Sequence, residues 1–81
     1  MDSLLSYVEN FNNIMMNTGR ISRLFVQENE DGDQVGLYLA REEQIAYNTY
    51  QCQLYHGDAY GAILIVKALQ MTLNFELGLG Y

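Results

Sequence analysis

Leu4, Val8, Phe11 and Met15 recur at the i, i+4, i+7, i+11 spacing of a single helical face. They predict an amphipathic first helix, with Asp2 or Ser3 placed to cap it. Asn17-Thr18-Gly19 predicts its end, because glycine adopts the left-handed conformation that closes a helix without steric cost. The pattern then changes to alternation. Residues 21–28 and 35–40 read as two short strands, the second placing Val35, Leu37 and Leu39 on one face. Between them Asn29-Glu30-Asp31-Gly32-Asp33 is rich in turn formers, with Gly32 the expected carrier of positive φ, so the pair predicts a β-hairpin.

Over residues 41–55 the apolar positions fall into two narrow stripes, Tyr47, Tyr50 and Leu54 on one side and Ile45, Thr49 and Cys52 on the other. A helix there would meet neighbours on both sides. Gly57 is placed to end it and Asp58 to cap the next. The last segment satisfies two templates. Read as a helix, residues 59–77 carry one polar stripe of Lys67, Gln70 and Asn74 on an otherwise apolar cylinder, with Gly78 as terminator. Read as a strand, Leu69, Met71, Leu73, Phe75, Leu77, Leu79 and Tyr81 alternate against polar or glycine positions. A helix-to-strand switch would need a turn near Lys67-Ala68, where no Gly, Pro, Asn or Asp stands, and this favours one long helix. The expectation is an α+β fold: a small single domain over residues 1–81, ordered helix, acid-tipped β-hairpin, helix, helix (α-β-β-α-α). A strand over 69–81 is the alternative.

Eighty-one residues make one domain at most, and a chain this short buries only about 60% of the surface its unfolded form exposes. There is no proline, no internal repeat and no composition shift to mark a linker. A single cysteine excludes an internal disulfide, and the first residues lack the basic and small-residue features of a secretory leader, so a cytoplasmic setting is expected. The longest uncharged apolar run, 62–66, is far short of the roughly 20 residues that span a bilayer, so no membrane role is expected.

Ten acidic against four basic residues give a net charge of −6. That sign opposes the counterion release that drives binding to nucleic acid, so direct nucleic-acid contact is not expected. The charge is also concentrated. Glu28, Glu30, Asp31, Asp33, Glu42 and Glu43 stand within sixteen residues and are offset there only by Arg41. They read either as a solvated turn followed by carboxylates favourably facing a helix N-terminus, or as an acidic patch that docks on a basic surface.

Candidate chemistry is sparse. Asn29, Asp31 and Gly32 fit positions of a helix-loop-helix calcium loop, but Gln27 and Tyr38 stand where its first and last ligands belong, and the flanks read as strands. Cys52 and His56 are four apart, a spacing two metal ligands can share on a helix, yet the chain has no further Cys or His to complete a site. Gly78-Leu79-Gly80 has no helix after it and makes no phosphate loop. No catalytic residue, metal site or cofactor is expected, and no enzyme.

Tyrosine is over-represented: seven, with Tyr47, Tyr50, Tyr55 and Tyr60 within fourteen residues and no tryptophan. A ring with a polar tip suits half-buried rims and interfaces alike. Beside the apolar run 62–66 these rings exceed what so short a chain hides, which predicts a homodimer or larger homo-oligomer. Four methionines, Met15 and Met16 among them, add adaptable apolar surface. In size and charge the chain is similar to phage or mobile-element inhibitors of host nucleic-acid machinery, a similarity that carries no motif and no residue roles. The expected function is a non-enzymatic binding protein of that anti-defence type. It would occupy the basic, nucleic-acid-facing surface of a protein partner with Glu28, Glu30, Asp31, Asp33, Glu42 and Glu43 as electrostatic element and Tyr47 and Tyr50 as anchors. The alternative is a structural or assembly protein that homo-oligomerises through its last helix.

Overall fold

A computed structural model describes residues 2–50 and 52–78. The chain runs α1 (Asp2–Asn17), β1 (Ser22–Glu28), β2 (Val35–Arg41), α2 (Glu42–Ala46), β3 (Cys52–Gly57) and α3 (Ala59–Glu76). The fold is mixed α+β in the expected order, with one strand added ahead of the last helix.

The apolar face of α1 is the one its spacing predicts: Leu4, Val8, Phe11 and Met15 are all buried. Gly19, at φ +77°, closes the helix, and Arg20 N–H donates back to the Met15 carbonyl at 2.9 Å. α1 begins at Asp2, so Asp2 and Ser3 stand inside its first turn instead of capping it, and the capping position, residue 1, lies outside the described residues. In the hairpin, β1 pairs antiparallel with β2 from Ser22↔Arg41 to Glu28↔Val35. Its turn is built as the sequence indicates, with Gly32 at φ +75° and its N–H donating to Asn29 O at 3.1 Å.

The helix expected over 41–55 is replaced by a short helix and a strand. α2 stops after five residues, Asn48 takes a left-handed φ of +57°, and Thr49 N–H turns back to Gln44 O at 2.8 Å. Asparagine tolerates that conformation better than other side-chain-bearing residues. β3 then pairs antiparallel with β2, giving a sheet of order β1-β2-β3. A register shift opposite Leu37/Tyr38 leaves Leu54 as an extra residue, so Leu54 and Tyr55 both turn toward the core. That doublet hides the alternation by which a strand is recognised.

Asp58 caps α3, accepting Gly61 N–H at 2.8 Å, and the helix runs unbroken to Glu76 before Gly78 turns at φ +73°. The strand alternative is thereby excluded up to Glu76, while Leu79, Gly80 and Tyr81 lie outside the described residues. Successive residues of a helix are about 100° apart, so every second one lands on opposite sides. Leu69, Leu73 and Leu77 turn to the core while Met71 and Phe75 face solvent. A helix apolar on two opposite sides therefore imitates the period of a strand.

Helices α1 and α3 pack on each other and cover one face of the sheet. Leu24, Val35 and Leu37 from the sheet meet Leu4, Val8, Phe11, Ala62 and Val66 between the layers. Among the described residues no helix layer covers the other sheet face. Among the described residues no helix is long and apolar enough to cross a membrane.

Candidate interaction surface

Because strand side chains alternate, the inward Leu24 and Val26 put Phe25 and Gln27 on the outer face of β1. The inward Leu37 likewise puts Tyr38 outward on β2. Register pairs Phe25 with Tyr38, and their rings stack with centroids 5.1 Å apart. Tyr50, from the segment between α2 and β3, closes the group at 4.3 Å from Phe25 and 5.3 Å from Tyr38. The two tyrosines carry satisfied polar tips. Gln53 donates to the Tyr38 hydroxyl at 2.9 Å, and the Tyr50 hydroxyl donates to Asn48 Oδ1 at 2.8 Å while accepting from Gln27 Nε2 at 3.3 Å. Gly36 lies under this group because Tyr38 lies across it: a β-carbon there would stand 2.7 Å from the ring.

At one end of this face the hairpin turn presents Glu28, Glu30, Asp31 and Asp33, all exposed. Asn29 organises it, donating to Asp33 Oδ1 at 2.8 Å and accepting Gln34 N–H at 3.2 Å, which leaves Glu30 and Asp31 outermost. Gln27, Glu28, Asn29, Gln34, Gly36, Tyr38 and His56 enclose a shallow cleft of about 180 Å³ that joins the acidic turn to the rings.

Glu42 and Glu43 do not belong to this cluster. β2 separates them from the turn by about 20 Å of extended chain, and each lies beside an arginine, Glu42 at 3.9 Å from Arg23 and Glu43 at 3.7 Å from Arg41. Arg20, Arg23 and Arg41 all line a second cleft there, of about 250 Å³. Arg20 also pairs with Glu76 at 3.7 Å. Among the described residues no ion pair reaches the hairpin turn. The molecule is therefore polar end to end: four uncompensated carboxylates at one end of the hairpin, and charges of both signs at the other.

The four clustered tyrosines separate. Tyr50 joins the outer rings, Tyr47 stands 80% exposed after α2, Tyr60 is exposed on α3, and Tyr55 packs against the core. Partial burial and then the neighbouring Asp58 carboxylate raise the Tyr55 phenol above its ordinary pKa. Met15 is in the core and Met16 is exposed. Neither Phe25 nor Tyr38 is expected as a partner-binding residue from the sequence. Their signal was present as the positions alternating with Leu24, Val26 and Leu37 in two strands already expected to pair.

Cys52 and His56 lie near opposite ends of β3, roughly 13 Å apart along a strand, instead of on one helical face. Among the described residues no three His, Cys, Asp or Glu side chains converge as a metal site requires. Compared with protein-family models, curated proteins and solved structures, the chain matches none.

Proposed function

We propose that this protein is a non-enzymatic binding protein, an inhibitor or regulator of the anti-defence type. In this reading the hairpin turn and adjoining outer sheet face dock on a basic surface of a protein partner, one shaped to face nucleic acid. The observation that carries this reading is the continuity of two surfaces. Among the described residues no cation pairs with the four turn carboxylates, and Glu28 of the turn lines the same cleft as Tyr38 of the Phe25–Tyr38–Tyr50 group. A lysine or arginine head entering that cleft meets Glu28 on one side and the Tyr38 ring on the other, combining ion pairing with cation–π attraction. The turn acids steer approach, and the rings, ordered by mutual packing and by the hydrogen bonds of Tyr38 and Tyr50, supply contact at little entropic cost.

Steering and contact separate kinetically. Once a partner is captured from host lysate at low salt and identified, association and dissociation rates are measured from about 50 to about 300 mM salt, a range that shortens the screening length. Glu30→Ser, Asp31→Ser and Asp33→Ser together should slow association and flatten its salt dependence, while Tyr50→Ala should mainly speed dissociation. Unchanged rates in the triple variant, melting as the native chain does, would reduce the acids to a solubility role.

A further inference from the structure

Beyond the sheet surface, α3 carries a second feature that its core packing does not use. Tyr60, Leu64, Met71 and Phe75 are 71%, 50%, 72% and 79% exposed, although the helix is one of the two that form the core. With Ala68, also exposed, they fall within an arc of about 80° at 100° per residue and make a stripe about 22 Å long. This stripe is diametrically opposite the buried Ala62, Val66 and Leu73. The polar residues Lys67, Gln70 and Asn74 run instead along the seam with α1, where Gln70 accepts from Asn10 at 3.3 Å and the Lys67 ammonium lies 5.1 Å from the Tyr7 ring centroid. The outward pole of α3 is thus apolar and uncharged.

We propose that this stripe is covered by the same stripe of a second copy, in an antiparallel two-fold dimer. The order of residues argues for a second copy over a foreign partner. A two-fold axis between Lys67 and Ala68, the midpoint of α3 (Ala59–Glu76), sets Tyr60 opposite Phe75 and Leu64 opposite Met71. Aromatic meets aromatic at both ends, aliphatic meets aliphatic inside them, and the small Ala68 stands at the crossing, where helix axes approach to about 8–10 Å. An isologous interface requires this self-complementarity, in which i meets j and j meets i. Area agrees: side chains of this size present roughly 500 Å² per protomer, and the doubled value of about 1,000 Å² reaches the lower bound of a specific interface. The dimer is therefore weak, with a Kd on the order of 1–100 µM.

Because the helices separate the stripe from the outer sheet face, dimerisation leaves both acidic turns and both ring groups exposed. The assembly would be bivalent, gaining avidity on any repeated or two-fold partner. Pairing is independent of the proposed partner binding, and the two are distinguishable, since apolar pairing persists at salt concentrations that suppress steering by exposed charges.

Sedimentation equilibrium should show a monomer–dimer equilibrium in the micromolar range that survives raised salt. Leu64→Glu should abolish it while preserving the circular dichroism spectrum and Tm, and mixing Leu64→Glu with Met71→Lys should restore a heterodimer. In a Cys52→Ser background, Ala68→Cys should cross-link to itself with a short bis-maleimide. Tyr60→Cys alone should not, but should cross-link to Phe75→Cys. A native chain still monomeric at about 500 µM, well above the affinity this area supports, would overturn the proposal and leave the stripe to a foreign partner. So would a dimer indifferent to Leu64→Glu, or one in which Tyr60→Cys cross-links to itself.

Discussion

The hydroxyl of Tyr55 donates to Oδ1 of Asp58 at 3.1 Å, and the same oxygen accepts the backbone N–H of Gly61 at 2.8 Å. One carboxylate thus ties β3 to the first turn of α3, satisfying an amide that has no partner within the helix. Asp58→Ala should lower stability by about 1 kcal/mol, within the usual range of about 0.5–2 kcal/mol for a lost cap. Chemical denaturation should show this as a lower midpoint at unchanged slope. Asp58→Asn, which can still accept from Gly61, should recover most of the loss.

Gly61 has its own test. A β-carbon there would collide with the Tyr55 hydroxyl. Alanine ordinarily improves a helical position over glycine by about 0.5–1 kcal/mol, but here overpacking against a rigid ring should reverse the sign and cost about 1–3 kcal/mol. In a Tyr55→Leu background the same Gly61→Ala change should become stabilising. A double-mutant cycle with no sign reversal would mean that Tyr55 moves aside freely.

Partial burial first, and then Asp58, raise the Tyr55 phenol above its ordinary value of 10.0. The folded state therefore holds this proton more tightly than the unfolded state. Its contribution to stability is complete below the unfolded pKa and is lost as pH rises through the folded one. Stability should accordingly fall above about pH 10, and more steeply in the native chain than in Tyr55→Phe. Absorbance titration should show one late phenolate that the Tyr55→Phe variant lacks.

Asn12 and Leu24 are joined in both directions: Asn12 Nδ2 donates to Leu24 O, and Leu24 N–H donates to Asn12 Oδ1, each at 2.8 Å. The side chain completes the hydrogen bonds of an edge strand and fastens α1 to it, blocking that point from pairing with another chain. Asn12→Ala should cost about 1–3 kcal/mol, the range for leaving partly buried backbone groups unsatisfied. Asn12→Asp keeps the acceptor but sets a carboxylate against the Leu24 carbonyl, and should be at least as damaging by thermal melt.

Where one face of an element met the core, the sequence was legible. The stripe Leu4, Val8, Phe11 and Met15, the turn at Gly32, the Asp58 cap and the stop at Gly78 each follow from a local rule that tertiary contacts reinforce. β3 was illegible because its extra residue sends Leu54 and Tyr55 inward together, while Tyr47, Tyr50 and Leu54 happen to match a helical spacing. The acids at 28–33 were found as a cluster, since a turn keeps neighbours together. Their union with Glu42 and Glu43 failed because sequence proximity does not reveal that β2 carries the chain away. Phe25, Tyr38 and Tyr50 meet only through strand pairing, which a linear reading does not display.

That separation yields a comparison between two acidic pairs. Glu42 and Glu43 each face an arginine, at 3.9 Å and 3.7 Å, whereas Glu30 and Asp31 at the hairpin tip form no ion pair among the described residues. Exposed charges beyond about 8–10 Å are screened at physiological salt, so the Glu42–Glu43 end contributes little field at the tip about 20 Å away. Glu42→Ser with Glu43→Ser should therefore leave association with the partner near the native rate. Glu30→Ser with Asp31→Ser, which changes net charge by the same amount, should slow it several-fold at low salt. Loss of carboxylates from the first turn of α2 should cost less than about 1 kcal/mol each, because Gln44 still accepts the Arg41 N–H at 2.8 Å and holds that end of the helix. Equal slowing by both pairs would mean that total charge, and not the acidic turn, governs the encounter.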